Sequence, residues 1–249
     1  MFFLNCKFSN KEKIENPPAK GFHQSASDDK AIAIADEVMQ AMGGRQNWDK
    51  TNILHWNFFG IRTLTWNKKT GELRIEVPKA KAIYLLNIFD QTGQVKIGDK
   101  AYSDSDSLAF YLQKAKNIWI NDSYWLVMPF KLKDSGVTLK YIGEGMTEAQ
   151  MPADILQLTF ENVGETPQNK YHVFVNKKNH LVTQWSYFAN ASDEMPKFTT
   201  PWANYIKYGN ILLSNDRGKR KLSDIAVFDK LPKAVFDSLE SVDWNNILK

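Results

Sequence analysis

The chain predicts an α+β fold, mainly β: a single strongly bent antiparallel sheet with helices on its concave side. Three observations carry this. Apolar and polar residues alternate in at least six segments, as they do in strands with one buried face. Turn-forming residues separate these segments at short intervals. Two amphipathic helical patterns, near residues 28–42 and 105–116, interrupt the strands.

In chain order, the first element is Met1-Phe2-Phe3-Leu4-Asn5-Cys6, an apolar lead ending at the sole cysteine. It looks like the last residues of a lipoprotein signal, so residues 1–6 are read as a signal remnant and Cys6 as the lipidation site. The alternative is a frayed N-terminus with an incidental thiol. A lone cysteine excludes an internal disulfide. Residues 7–26 are polar, carry Pro17-Pro18 and Gly21, and read as a disordered tether. Residues 27–249 then read as a single domain.

Ser27 is the expected N-cap of the first helix, with Asp28 and Asp29 in its first turn. Ala31, Ile34, Ala35, Val38, Met39 and Met42 share one face, and Gly43-Gly44 ends the helix. From Leu54 to Trp66 the even positions Leu54, Trp56, Phe58, Leu64 and Trp66 are large and apolar, which predicts one long strand. Asn67-Lys68-Lys69-Thr70-Gly71 turns the chain into Leu73, Ile75 and Val77. Ile83 to Phe89 is apolar on both faces, as in a strand covered on both sides. Asp104 or Ser105 caps a second helix whose Leu108, Tyr111, Leu112 and Ala115 share a face. Ile118–Ile120 and Tyr124–Phe130 read as an aromatic connection, in which Pro129 argues against a central strand. Strands resume at 137–142, 154–161, 170–175, 180–188, 202–213 and 222–228, and Pro232 starts a helical element containing Val235, Phe236 and Leu239.

Composition narrows the function classes. The net charge is +4 and the lysines are scattered, without the interleaved basic and aromatic repeats of a nucleic-acid module. No apolar run approaches the roughly 18 residues a membrane helix needs. The four histidines, His23, His55, His172 and His180, do not form a metal-ligand pattern, and no nucleophile, acid–base or phosphate-loop motif is present. The residues therefore point to a protein that is not an enzyme and takes no cofactor. The eight tryptophans are the unusual feature. Trp56, Phe58, Leu64, Trp66, Tyr84 and Trp185 are the expected lining of a ligand cavity on the concave face; the competing reading is filled core. Arg62, sharing the even face, is the expected anchor for an anionic head group. The competing reading is a bulge at Gly60 that throws Arg62 outward.

Glu37-Val38-Met39-Gln40-Ala41-Met42-Gly43-Gly44, Trp48 and the run Trp56 to Asn67 resemble a family of envelope lipoproteins of Bacteroidota-type Gram-negative bacteria that has no assigned activity. The segments Gly209 to Arg217, Ile225-Ala226-Val227 and Leu231 to Phe236 extend the resemblance. That family is similar in fold to the LolA and LolB lipoprotein carriers, whose open half-barrel is closed by helices over an apolar cavity for acyl chains. The resemblance implies a non-enzymatic carrier or sensor for an apolar or acylated ligand. It further implies a monomer anchored through Cys6 at the periplasmic face of the outer membrane, without a nucleic-acid partner. It transfers no binding residue. The second reading is a glycan-binding or scaffold lipoprotein whose exposed tryptophans stack on sugars, and the direction of the tryptophans discriminates the two.

Overall fold

The alternating segments become strands, and all their pairings are antiparallel. The computed structural model describes residues 15–161, 164 and 166–248, so Cys6 and residues 7–14 of the expected tether lie outside the described residues. The first group of strands is β1 (Ile53–Phe58), β2 (Arg62–Asn67), β3 (Glu72–Val77), β4 (Ala82–Asn87), β5 (Gly93–Ile97) and β6 (Lys100–Tyr102). The second is β7 (Val137–Met146), β8 (Pro152–Phe160), β9 (Lys170–Asn176), β10 (Val182–Phe188) and β11 (Phe198–Pro201), and the last is β12 (Ala203–Tyr208), β13 (Ile211–Arg217) and β14 (Arg220–Phe228).

Hydrogen bonding sorts them into a nine-stranded sheet, β12-β13-β14-β1-β2-β3-β4-β5-β6, and a five-stranded one, β11-β10-β9-β8-β7. The two run into each other. Only Trp202 separates β11 from β12, and its N–H donates to Thr183 O at 2.9 Å. The Thr200 hydroxyl donates to Arg217 O at 3.0 Å across the same corner. The strands thus wrap as a bent antiparallel layer that is not closed into a barrel, its ends being β6 and β7. This is the expected α+β half-barrel.

Helices α1 (Asp29–Ala41), α2 (Arg45–Lys50) and α3 (Ser105–Val127) precede two short ones, α4 (Ala234–Asp237) and α5 (Trp244–Ile247). Helix α1 buries Ala31, Ile34, Ala35, Val38 and Met39, the face its spacing predicts. Helix α3 packs on β4, β5 and β13. Phe22, both long helices and the inner faces of both sheets contribute to one hydrophobic cluster. None of these helices is long and apolar enough to cross a membrane.

Four expectations need correction. The Leu54–Trp66 segment is two strands, because Phe59 and Gly60 take positive φ (55° and 72°) and Ile61 N–H donates to Phe58 O. Phe58 pairs directly with Arg62, Trp56 with Leu64 and Leu54 with Trp66, so the three-residue turn keeps every even position on one face. Alternation alone cannot see such a turn. Likewise Gly209-Asn210 splits the expected 202–213 strand into β12 and β13.

Second, α3 runs through Val127, absorbing most of the expected connection, and Pro129 falls in the 3-10 turn that follows. Third, the 15–26 part of the expected tether is packed onto the β7 end of the sheet. Phe22 is buried, His23 N–H donates to Val137 O at 3.0 Å, and Gly136 N–H donates to Gly21 O at 2.8 Å. Its backbone groups satisfy an open strand edge, a role that polar composition does not reveal. Fourth, Ser27 does not cap α1. Its hydroxyl accepts from Leu139 N–H at 3.0 Å, and the Asp28 carboxylate takes Lys140 Nζ and Tyr141 N–H.

The outer face of the sheet is covered near its middle. Arg74, 1% exposed, donates to the carbonyls of Val235, Ser238 and Glu240, and Trp244 packs on His55 with ring centroids 4.0 Å apart.

Candidate ligand-binding site

The second half of α3 faces the inner surface of both sheets with Trp119, Asp122 and Leu126, which continue the helical spacing of Leu112 and Ala115. Between this half of α3 and strands β2, β7, β8, β9 and β10 lies a cavity of about 260 Å³. Its wall includes Trp66 from β2, Trp119, Tyr124 and Trp125 from α3, Phe160 from β8, Tyr171 from β9 and Trp185 from β10. The polar part of the lining comes from Asn121, Ser123, Lys131, Asp134, Ser135 and Thr166. This volume exceeds the roughly 150 Å³ apolar cavity that holds one benzene. It lies just below the range of about 300–1,000 Å³ common for small-molecule sites.

The aromatic wall is ordered by mutual contact. Trp66 and Trp119 meet edge to face at 5.1 Å, and Trp125 and Trp185 at 4.6 Å. Tyr171 sits 4.9 Å from Trp185 and 5.7 Å from Tyr124. The two edge-to-face tryptophan pairs satisfy the ring quadrupoles, and the tilted Tyr171 packs against them. The polar atoms are less well satisfied. The Nε1 atoms of Trp66, Trp119 and Trp185 and the Tyr124 hydroxyl are buried without a hydrogen-bond partner among the described residues. Burial, with smaller contributions from Tyr171 and Asp134, pushes the Tyr124 phenol well above its usual pKa, so it keeps its proton. Tyr171 is also raised, chiefly by burial. Lys131 is paired with Asp134.

Of the residues expected to line a ligand site, Trp66 and Trp185 border this cavity. Trp56, Phe58, Leu64 and Tyr84 lie in the packed core, at 0%, 5%, 0% and 3% exposure, and do not line this cavity. They face inward as the alternation requires, but neighbouring side chains fill the space before them. Arg62 is neither a cavity anchor nor thrown outward. Its Nε and Nη2 donate to Asp122 Oδ2 and Oδ1 at 2.5 and 2.8 Å, so a carboxylate of α3 takes the place expected for a ligand's. Asp122 is fully buried. Burial raises its pKa, opposed by the Arg62 hydrogen bond and charge and by Asn121. His172 is half-buried beside Gln157 and pushed down to about 4, mainly by burial; His180 pairs with Glu37 on α1. No group of three metal-ligating side chains occurs among the described residues.

Besides Phe160 of β8 and Tyr171 of β9, the lining residues that sequence reasoning missed are those of α3. Their signal was present: Leu108, Leu112, Ala115, Trp119, Asp122 and Leu126 keep a four-three spacing, which continues the helix past residue 116.

No protein-family model and no curated protein matches the chain. Among solved structures it is similar to a DUF1329 family protein from Desulfovibrio piger, at 15% identity and a TM-score of 0.46 over 85% of this chain and 98% of that one. It is similar to a domain described as an outer membrane lipoprotein-sorting protein from Vibrio parahaemolyticus, at 10% identity and 0.42, over 88% of this chain and 98% of that one. A LolA superfamily protein from Nitrosomonas europaea matches at 11% identity and 0.42, over 84% of this chain and 97% of that one. Likeness at these values assigns neither a family nor an activity to the chain.

Proposed function

We propose that this protein is a non-enzymatic binder of an acyl chain or another apolar ligand, acting as a carrier or sensor in the cell envelope. The observation that carries this reading is the 260 Å³ cavity walled by aromatic side chains from α3 and both sheets. Burying apolar ligand surface there contributes roughly 25 cal/mol per Å². Residues 15–248 serve the site as one unit, since a single hydrophobic cluster supports both sheets and α3.

The tryptophans favour this reading over glycan stacking. All eight lie among the described residues, and none is exposed. Stacking on a sugar needs an accessible ring face, whereas here Trp66 packs on Trp119 and Trp185 on Trp125 and Trp202.

The placement in the envelope rests on sequence. Cys6 follows an apolar lead, and we propose that it carries lipid and holds the protein as a monomer at the periplasmic face of the outer membrane. More than one acyl chain at Cys6 would be needed for firm anchoring. Cys6→Ala should move the protein from the membrane fraction to the soluble one, and retention in the membrane would count against the anchor.

The binding reading is tested by native mass spectrometry of the purified protein, followed by titration with a fluorescent fatty acid. Co-purified lipid, or saturable uptake that Trp185→Ala abolishes, is the expected result. No adduct and no uptake would overturn it.

A further inference from the structure

The cavity wall is aromatic to a degree that the adjoining core is not. Seven of its described lining residues are aromatic, drawn from α3, β2, β8, β9 and β10, and only Ile120 and Val137 are aliphatic. The core beside it is the reverse. Leu139 of β7, Leu156 and Leu158 of β8 and Val173 of β9 are fully buried on the strands that form the wall. Aliphatic side chains exclude water from that core without help, so hydrophobicity alone does not account for the rings.

The rings also leave carbon open. Trp119 and Tyr124 are half-buried, yet the indole nitrogen and the phenol oxygen are buried, so the side-chain surface that remains is carbon. Trp125, Phe160 and Tyr171 are half-buried as well. Such a wall distinguishes an aromatic ligand from an aliphatic one. Against another ring, an aromatic ligand gains about two- to tenfold in affinity per pair beyond the area it buries, through edge-to-face or offset contact. A saturated ring or chain gains the area alone.

Volume and charge narrow the ligand. The space of 260 Å³ is less than twice the roughly 150 Å³ cavity that holds one benzene, which suits two fused rings. A cation would also be attracted to ring faces. Among the described lining residues, however, the one carboxylate, Asp134, is engaged by Lys131, whose own charge lies in the same wall.

We propose that the cavity binds an uncharged bicyclic aromatic ring system, held edge-to-face and by offset stacking among Trp66, Trp119, Tyr124, Phe160, Tyr171 and Trp185. This rests on the cavity being a binding site, and within the apolar class it chooses an aromatic ligand over an acyl chain.

The test titrates the purified full chain, by calorimetry, with 2-naphthol, decahydro-2-naphthol and 1-decanol, which share a carbon count and one hydroxyl, and with tetramethylammonium. 2-Naphthol should bind about fivefold or more tightly than either aliphatic alcohol, the gain of one or two ring pairs. Nuclear Overhauser contacts should join its ring protons to those of Trp119 or Phe160. Phe160→Leu should cut the preference for 2-naphthol over decahydro-2-naphthol by about two- to tenfold, one ring pair. Trp119→Leu makes the same test on the helical side of the cavity, should the first variant disturb its strand. Equal affinity for the two bicyclic alcohols, or tighter binding of 1-decanol, overturns the proposal and leaves the apolar-binding reading standing. Tighter binding of tetramethylammonium overturns the uncharged ligand. 2-Naphthol bound without contact to any ring of the wall, or a preference that survives both variants, overturns the site. No binding of any probe overturns both readings.

Discussion

Replacing Arg62 with leucine leaves the fully buried Asp122 carboxylate without its cation. Breaking a buried pair from one side costs about 3–5 kcal/mol. Two features place this case at the lower end, near 3 kcal/mol: Arg62 is 20% exposed, and Asn121 Nδ2 still donates to Asp122 Oδ1 at 2.8 Å. For a domain of this size that is about 6–12 °C in Tm. The pH dependence carries the sharper signature. Asp122 already has a raised pKa, because burial outweighs Arg62. Removing Arg62 removes two of the influences that lower it, so the pKa climbs further. A raised carboxyl pKa means that the folded state holds the proton more tightly than the unfolded one. Its stabilising effect is full at low pH and is lost as pH rises through the folded pKa. The deficit of Arg62→Leu relative to the native protein should therefore be larger at pH 8 than at pH 5. Urea unfolding at both pH values measures it. Arg62→Leu with Asp122→Leu should recover to within about 1 kcal/mol of the native protein. A pH-independent deficit, or a double variant no better than the single one, would refute the reasoning.

Three further outcomes are expected. His55, 1% exposed, is pushed down to about 4 by burial, so it favours folding above pH ~6.5 and loses about 3 kcal/mol of that contribution as pH falls to ~4. His55→Gln should flatten the acid limb of a Tm-against-pH curve, and an unchanged limb would contradict this. Phe22→Ala should cost about 3 kcal/mol, because Phe22 belongs to the core cluster; a cost within about 0.5 kcal/mol, as for an ordinary surface change, would mean that the 15–26 segment does not dock in solution. Gly93→Ala should be severely destabilising, since its Cβ would sit 2.0 Å from Leu85 O and 2.7 Å from Leu112 Cδ2. Gly60→Ala, in open space at φ 72°, should cost only about 1–2 kcal/mol, and chemical denaturation of the pair measures the contrast.

The antiparallel class was legible because period-two alternation survives a short turn. Trp56, Leu64 and Trp66 face inward whether or not the chain reverses at Gly60. The same insensitivity hid the reversal itself. The cavity was only half legible. Trp66 and Trp185 could be found from strand periodicity, but the opposite wall depended on reading residues 118–127 as helix. There a high aromatic content and the nearby Pro129 argued for a connection instead. Which inward residues fill space and which border it is decided by the distance between α3 and the bent layer, and no local pattern records that distance. Arg62 shows the limit from another side. Its need for an anion was readable from its apolar face, whereas the identity of the anion depended on Asp122, sixty positions away.

The docking of residues 15–26 along β7 has a further consequence for orientation. Of the twenty residues in the expected leash, only those numbered 7–14 lie ahead of Glu15. At about 3.3–3.6 Å per residue, the nine steps from Cys6 to Glu15 span at most about 30 Å. A lipid at Cys6 would therefore hold the domain within about one bilayer-core thickness of the membrane surface. The attachment point would lie at Glu15, beside Asp36 and Gln40 of α1 and Arg45 of α2. So short a leash would restrict rotation as well as diffusion, holding the face that carries α1 and α2 toward the lipid surface.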